Sequence, residues 1–318
     1  GDPDLVTFLR SSAKPFQAIP FVESGAADHF KIGPEELALA CASHAGMQMH
    51  VDKARQILGK IGEPEDALRC GIHIPYNEEA YENLLRSGGR LEPVRNNCSG
   101  KHAAMLATAK FIGENLETYL EPAHPVQERI IDTLAGMSGV PARSIVIGID
   151  GCSAPTFALP LRAAALAYAR LVDSEYQEGA RAEACRRIVA AMIGHPEFVG
   201  GPTRFDTLFM QAVGGRMVSK SGAEGFQSIG IPRNAIGEGS HSLGIAIKVH
   251  DGDHKEHRAA ALIAIELIEQ LGGFRPLERE KLSDFDARER VNLSGIVIGE
   301  VRINPSLERE FKLNNERL

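Results

Sequence analysis

Residues 10–17 read Arg-Ser-Ser-Ala-Lys-Pro-Phe-Gln and hold the chain's single Ser-x-x-Lys motif, formed by Ser11 and Lys14. On a helix this spacing places the two side chains on one face, one turn apart. A lysine amine accepts the serine proton only when desolvation or a nearby cation keeps it neutral. The stretch therefore predicts a serine nucleophile with a lysine base.

A second motif lies far downstream, at Lys220-Ser221-Gly222, and it is the chain's only Lys-Ser/Thr-Gly triplet. An early Ser-x-x-Lys followed by a late Lys-Ser/Thr-Gly is the layout of serine β-lactamases and penicillin-binding proteins. Either motif alone is a weak signal. Together they favour an acyl-transfer enzyme that uses serine and lysine.

The composition excludes several classes of protein. With 318 residues and 43% apolar content, the chain can bury a full core as one large domain or two lobes. A net charge of -7 without a long basic block argues against nucleic acid as a partner. No apolar run approaches the roughly 20 residues that span a bilayer, so no membrane partner is expected. The sequence also lacks a signal-peptide pattern, although it begins without Met, which leaves a removed leader open.

Five cysteines are scattered along the chain, and their odd number does not suggest a disulfide framework. They are typical of thiols in a reducing cytoplasm, which predicts a cytoplasmic protein. The five are Cys41, Cys70, Cys98, Cys152 and Cys185.

Hydrophobic periodicity predicts a largely helical middle followed by a sheet that a late helix covers. Asn77 is expected to cap the third helix, and Asn97 or Ser99 the fourth. Helices are predicted over 34–41, 50–60, 78–86, 101–114, 125–137, 156–172, 179–193 and 258–271. Strands are predicted over 144–149, 216–219, 244–250 and 295–302.

Two polar segments stand where elements begin or end. Residues 96–102 read Asn-Asn-Cys-Ser-Gly-Lys-His at a predicted helix start, where free N–H groups favour a carboxylate or an oxyanion. A simple N-cap of a surface helix explains them equally well. Residues 150–155 read Asp-Gly-Cys-Ser-Ala-Pro after a strand predicted to be buried, where ligand sites of α/β proteins tend to lie. A plain Gly-Pro turn is the alternative there.

If these two segments meet, Cys98 and Cys152 offer two thiolates to zinc, which prefers sulfur and nitrogen ligands. The spacing gives no support, because the sequence has no Cys-x-x-Cys and its one His-x-x-x-His, from His250 to His254, lies in neither segment. Lys101 is a candidate third ligand only when neutral. Free thiols or an occasional disulfide remain alternatives.

Two further segments carry polar groups. Ser43, in the sequence Cys41-Ala-Ser-His44, is either a helix cap or a second hydroxyl that relays a proton. In Arg204-Phe-Asp206, an internal ion pair is favoured over a clamp for a carboxylate.

Taken in order, these segments resemble the asparaginase II family, the rhizobial type of L-asparaginase, over essentially the whole chain. The resemblance implies an α+β fold like that of glutaminases and serine β-lactamases, with a mainly antiparallel sheet packed with helices and a largely helical lobe. It implies one domain over 1–318. The helical lobe would span roughly 34–195, and the sheet-rich part roughly 204–303 together with the N-terminal segment.

The resemblance also implies roles for individual residues. Ser11 matches the nucleophile and Lys14 its general base, while Ser43 and Lys220 match a second Ser-Lys tandem. The implied zinc ligands are Cys98, Lys101 and Cys152, with the metal aiding substrate positioning rather than hydrolysis. The implied substrate-binding residues are Arg10, Asn96, Asn97, His102 and Asp150. Relatives also suggest a homodimer.

The implied reaction is hydrolysis of L-asparagine to L-aspartate and ammonia through an aspartyl ester of Ser11. A glutaminase, a β-lactam-type Ser-Lys enzyme, or a catalytically impaired protein that binds zinc or an amino acid remain alternatives. The chain departs from the family in two places. A strand segment with His-Arg-Gly usually precedes Gly1-Asp2-Pro3, so N-terminal strands are expected to be missing. Ala45-Gly46-Met47 replaces a frequent Ser-Gly-Glu, which predicts an altered polar contact or substrate choice.

Overall fold

A computed structural model describes residues 1–173, 175–250 and 259–303, in which helices and antiparallel strands combine in an α+β fold. The strands are β1 (Val6–Phe8), β2 (Val146–Ile149), β3 (Pro155–Pro160), β4 (Val218–Gly222), β5 (Phe226–Ile231), β6 (Leu243–Lys248), β7 (Glu289–Val291) and β8 (Val297–Glu300). The first helices are α1 (Lys14–Glu23), α2 (Ala26–His29), α3 (Pro34–Ala40), α4 (Gln48–Ile61), α5 (Glu78–Arg86) and α6 (Ser99–Ile112). The later helices are α7 (Pro125–Ser138), α8 (Leu161–Val172), α9 (Gly179–Gly194), α10 (Pro196–Val199), α11 (Phe205–Ala212) and α12 (Ala260–Gln270).

The described strands form three antiparallel sheets. One has the order β4-β5-β6, and α8 and α12 pack on it. Another has the order β1-β3-β2, so that the buried β3 lies between two edge strands. The third is the β7-β8 hairpin. The predicted α+β fold with mainly antiparallel strands is therefore confirmed. The predicted late helix corresponds to α12, and its predicted first residue, Arg258, lies outside the described residues.

Local sequence signals account for most of the helices. The predicted cap of α5 is confirmed, because the Asn77 Oδ1 accepts a hydrogen bond from the Ala80 N–H at 2.8 Å. α4 ends at Gly62, whose φ of +67° lies in the left-handed region that glycine adopts readily. The predicted cap of α6 is wrong: Cys98 occupies the cap position and makes no side-chain capping bond.

Two predictions near the middle of the chain are wrong. The predicted helix over 156–172 begins only at Leu161, because Pro155–Pro160 forms the buried strand β3. The strand β2 exists as predicted, but its side chains are mostly exposed rather than buried because it is a sheet edge. The middle of the chain is therefore not purely helical.

The buried apolar side chains from Leu9 to Leu282 form one continuous cluster. It joins the helices to the sheet that carries β4, and the candidate residues of the two Ser-Lys motifs lie within it or at its edge. In the part of the chain that the structure describes, none of the helices combines the length and apolar character that crossing a bilayer requires.

Candidate active site

The Ser-x-x-Lys motif lies on a tight turn that runs into a helix. Residues Arg10–Ala13 form a short 3-10 helix, and α1 begins at Lys14. The Ser12 Oγ donates a hydrogen bond to the carbonyl of Lys220 at 2.8 Å, and the Tyr168 hydroxyl donates to the carbonyl of Ser12 at 2.7 Å. Ser12 is fully buried, whereas Ser11 is partly exposed. Of the two serines, Ser11 is the one that a substrate can reach.

A glycine lets the turn and the strand β4 touch. A Cβ built on Gly222 would lie 2.4 Å from the carbonyl oxygen of Leu9 and 3.3 Å from the Ser12 Oγ. A side chain at this position would push the strand away from the turn. The glycine of the Lys-Ser-Gly triplet therefore brings Lys220 next to the serine motif.

Lys14 is fully buried and binds three oxygen atoms. Its Nζ donates to the Ala42 carbonyl at 2.5 Å, the Ser43 Oγ at 3.0 Å and the Asn97 carbonyl at 3.4 Å. All three acceptors are neutral. The structure thus brings together one lysine of the first predicted tandem and the serine of the second.

Lys220 is also fully buried, but it lies beside a carboxylate. Its Nζ is 3.6 Å from the Asp206 Oδ2 and donates to the carbonyl of Ser221 at 2.8 Å. Asp206 accepts hydrogen bonds from the Ser219 Oγ and from the N–H and Oγ of Ser221, each at 2.7 Å. Burial opposes its charge, yet Lys220 and these donors outweigh burial and hold the pKa of Asp206 below its usual value. Asp206 is therefore a buried carboxylate.

Two cysteines and a lysine from the two polar segments lie close together. The Lys101 Nζ lies 3.1 Å from the Cys152 Sγ, and all three side chains are buried. A hydrogen bond from Cys98, together with the Lys101 ammonium, outweighs burial and lowers the pKa of Cys152. That hydrogen bond and burial raise the pKa of Cys98. We call Cys98, Lys101 and Cys152 the thiol cluster.

The donor types of the thiol cluster fit zinc. Within the described residues no three His, Cys, Asp or Glu side chains come close enough to hold a metal ion, so a third donor has to be Lys101. Two sulfur atoms and one nitrogen atom belong to the set that Zn²⁺ prefers. Burial lowers the pKa of Lys101, but Cys152, Cys98 and Asp150 together outweigh burial and raise it, so zinc would have to displace a proton from this amine.

His102 lies beside the thiol cluster, and only one of its two ring nitrogens makes a hydrogen bond of normal geometry. The His102 Nδ1 is 2.6 Å from the Tyr119 hydroxyl, which accepts a hydrogen bond from the Arg69 N–H at 3.0 Å. Its buried Nε2 makes no hydrogen bond of normal geometry, although the Cys152 thiolate is close enough to affect the pKa of His102. Burial is the main effect and lowers that pKa, which keeps the ring neutral.

Four charged residues surround the turn at its exposed side, and we call Arg10, Asp150, Glu224 and Lys248 the rim cluster. The Asp150 Oδ1 accepts hydrogen bonds from Arg10, with distances of 3.0 Å to Nε and 2.8 Å to a terminal nitrogen. The other terminal nitrogen of Arg10 binds Glu224. The Lys248 Nζ donates to the Glu224 carbonyl at 2.5 Å. Arg10 has a φ of +50°, in the left-handed region.

Asn96 and Asn97 form hydrogen bonds within the loop that leads into α6. The Asn96 amide donates to the carbonyls of Cys70 and Gly71 and accepts from the Cys98 N–H, so its polar groups hold the loop together. Asn97 contributes its carbonyl to Lys14 and its side-chain oxygen to the Cys98 Sγ. We interpret both as residues that shape the site.

Asp206, Glu224, Lys248 and Tyr168 are site residues that the sequence motifs do not predict. Asp206 does occur in the segment Arg204-Phe-Asp206, and Glu224 lies two residues after the triplet Lys220-Ser221-Gly222. The signal for Lys248 is a lysine at the end of an otherwise apolar strand. No local pattern points to Tyr168, which lies in an amphipathic helix.

Comparison with known proteins gives one match. The protein-family model described as L-asparaginase II matches residues 1–303, which is nearly the whole chain. No curated protein matches the sequence.

Proposed function

The chain belongs to the L-asparaginase II family, and on that premise we propose that it hydrolyses L-asparagine to L-aspartate and ammonia through an acyl-enzyme on Ser11. Family membership supports an asparaginase-type hydrolase with a small amide as substrate. One observation carries the mechanism: the buried Lys14 amine contacts the Ser43 hydroxyl at 3.0 Å, and Lys14 follows the partly exposed Ser11 by three residues. This contact offers a path for the proton that a serine nucleophile must lose.

In the first half of the reaction, the Ser11 Oγ bonds to the side-chain amide carbon while its proton passes to Lys14. The tetrahedral intermediate then collapses, the C–N bond breaks, and the proton returns through Ser43 to the leaving nitrogen, which departs as ammonia. In the second half, water attacks the aspartyl ester and gives up a proton by the same route. As the Ser11–acyl bond breaks, that proton passes from Lys14 to the Ser11 oxygen, and L-aspartate leaves.

Lys220 has a different role in this proposal. Because Asp206 stays ionised beside it, Lys220 remains a cation and supplies fixed positive charge. Preorganised charge in a buried site stabilises the negative charge that develops on the attacked amide. Lys14 moves protons, and Lys220 contributes an electrostatic field.

We also propose that Cys98, Lys101 and Cys152 hold Zn²⁺. When bound, zinc would supply a cation that helps to position the substrate. Cys98 and Lys101 have to release protons on binding, so the affinity for zinc should rise with pH. Elemental analysis of protein supplied with Zn²⁺ tests this proposal, and protein that remains free of zinc contradicts it.

Ammonia release from L-asparagine and from L-glutamine tests the activity. We expect release from L-asparagine, and we expect Ser11→Ala to abolish it while the circular dichroism spectrum stays unchanged. Ser24→Ala, at the other end of α1, is the matched control and should remain active. Substantial turnover by the Ser11→Ala variant contradicts the assignment of the nucleophile.

A glutaminase is the second candidate, and the same assay separates the two. The substrates differ by one methylene, which a pocket discriminates by about 1–3 kcal/mol. Faster release from L-glutamine than from L-asparagine would favour the glutaminase. Turnover of nitrocefin instead would favour a β-lactam-type enzyme.

A further inference from the structure

The rim cluster lies directly next to the proposed nucleophile. Arg10 precedes Ser11 in the chain, and the hairpin between β4 and β5 carries Glu224 at its tip. The close approach of Gly222 to Leu9 fixes this hairpin against the serine turn. The charges of the rim cluster therefore lie beside Ser11, where a bound substrate can meet them.

The two carboxylates of the rim cluster hold Arg10 in different ways. Asp150 receives two bonds from the guanidinium, has only 11% of its side chain exposed, and also accepts the Gly151 N–H. Glu224 receives one bond from Arg10, lies 3.9 Å from the Lys248 Nζ through its Oε2, and has 61% of its side chain exposed. Asp150 is thus the fixed partner of Arg10, whereas Glu224 is accessible and can exchange its partner.

The backbone at Glu224 also points to a need for its carboxylate. Its φ of +62° lies in the left-handed region, where a side chain is strained and glycine or asparagine fits better. The Lys248 ammonium binds the carbonyl of Glu224 and so holds the backbone of the loop in place. The side chain can therefore turn while the loop remains fixed.

An α-amino acid carries an ammonium and a carboxylate on one carbon atom. Recognition of that head group requires a cation and an anion side by side, close to the reacting atom. Arg10 and Glu224 form such a pair beside Ser11. If the bond between them opens, Arg10 keeps Asp150 as a partner and Glu224 keeps Lys248 at 3.9 Å, while each gains room for the substrate.

We propose that Glu224 is a specificity-determining residue that binds the α-ammonium group of the substrate, while Arg10 turns from Glu224 to the α-carboxylate. The inference rests on the proposed amidohydrolase function and assigns the residues that would recognise the α-amino acid head group of its substrate. Asp150 holds the remaining edge of the Arg10 guanidinium throughout.

Binding to the Ser11→Ala protein tests the proposal independently of turnover. Calorimetry near neutral pH compares L-asparagine with succinamic acid, which has the same amide and carboxylate but no α-amine. We expect L-asparagine to bind more tightly. Adding Glu224→Gln should lower the affinity for L-asparagine about tenfold or more, which is the loss typical of one charged hydrogen bond. The affinity for succinamic acid should change by less than about twofold.

Glu82→Gln is the matched control, because Glu82 also forms an exposed ion pair with an arginine but lies on α5. It should change neither affinity. The proposal is overturned if Glu224→Gln weakens the binding of both ligands equally or leaves the binding of L-asparagine unchanged. It is also overturned if the Ser11→Ala protein, without the second substitution, binds the two ligands equally or binds neither. Tight binding with the expected selectivity, but no ammonia release by the wild type, would overturn the proposed hydrolysis and leave the role of Glu224 standing.

Discussion

Two buried lysines of the candidate site differ in the charge that surrounds them. Lys14 faces two carbonyl groups and a hydroxyl, whereas Lys220 lies 3.6 Å from the Asp206 carboxylate. A buried amine next to an anion favours its charged form. The proposed mechanism accordingly uses Lys220 as a constant positive charge and Lys14 for proton transfer.

Asp206→Asn tests this division at the level of one residue. We expect kcat to fall by about tenfold or more, because the cation loses its counter-ion in a site that depends on fixed charge. The alkaline limb of the kcat profile should move to lower pH, since Lys220 then gives up its proton more easily. Kinetics across a pH series measure both effects.

Gln227→Leu is the control for that variant. It removes one hydrogen-bond donor from Asp206 but keeps the carboxylate. The pH profile should therefore stay in place even if the protein becomes less stable. An unchanged alkaline limb in Asp206→Asn would rule out the proposed role of Asp206.

Single residues also show how much of the site the sequence can predict. Ser11, Lys14 and Lys220 are recognisable because short motifs place the required chemical groups at fixed spacings. The contact between Lys14 and Ser43, and that between Lys220 and Asp206, join residues that are far apart in the chain. Such pairings depend on how helices and strands pack, which no local pattern contains.

Secondary-structure elements were predictable where they carry their own end signals. Asn77 and Gly62 mark the ends of α5 and α4, and both act as the sequence indicates. The buried strand Pro155–Pro160 leads directly into α8, so an apolar strand and an amphipathic helix merge into one pattern. Periodicity alone does not separate them. The strand β5 was missed for a related reason: it is buried on both faces and shows no alternation.

The contact between α6 and α3 depends on one glycine. A Cβ on Gly100 would lie 2.3 Å from the carbonyl oxygen of Leu39, so Gly100→Ala forces the helices apart. We expect the free energy of unfolding to fall by about 1–3 kcal/mol, the usual cost of overpacking. Urea denaturation measures the change. Because α6 also carries Lys101 and His102, the two site residues should shift with it.

Gly59→Ala, inside α4, is the matched control. No atom lies within 4 Å of a Cβ at Gly59, so the substitution meets open space. It should raise the free energy of unfolding by about 0.5–1 kcal/mol, because alanine favours the helix. Equal effects of the two substitutions would show that the close approach at Gly100 does not limit packing.

At the scale of the whole molecule, buried histidines make the fold sensitive to acid. The His50 ring stacks on His44 at 4.9 Å, and its Nε2 lies 3.0 Å from the Glu197 carbonyl. Burial lowers the pKa of His50 to about 4, and it lowers the pKa of His44 as well. An unfolded histidine titrates near 6.5. The unfolded chain therefore binds protons first, so stability is complete above about pH 6.5 and falls as the pH drops toward 4.

The pH dependence of unfolding tests this effect. Between pH 7.5 and pH 5, His50 alone should cost the wild type about 2 kcal/mol of unfolding free energy. His50→Gln should reduce that pH-dependent loss, although it lowers stability at every pH. His29→Gln, at an exposed position, serves as the control and should leave the loss unchanged. Equal losses in wild type and His50→Gln would exclude His50 as a source.

The left-handed backbone at Arg10 has a consequence for how this protein can evolve. A side chain in that region costs about 1–2 kcal/mol, which a glycine would largely avoid. The glycine would also remove the guanidinium that faces Asp150 and Glu224. Selection for heat tolerance and selection for catalysis therefore favour different residues at position 10. A thermostable lineage that keeps arginine there has to gain its stability elsewhere in the molecule.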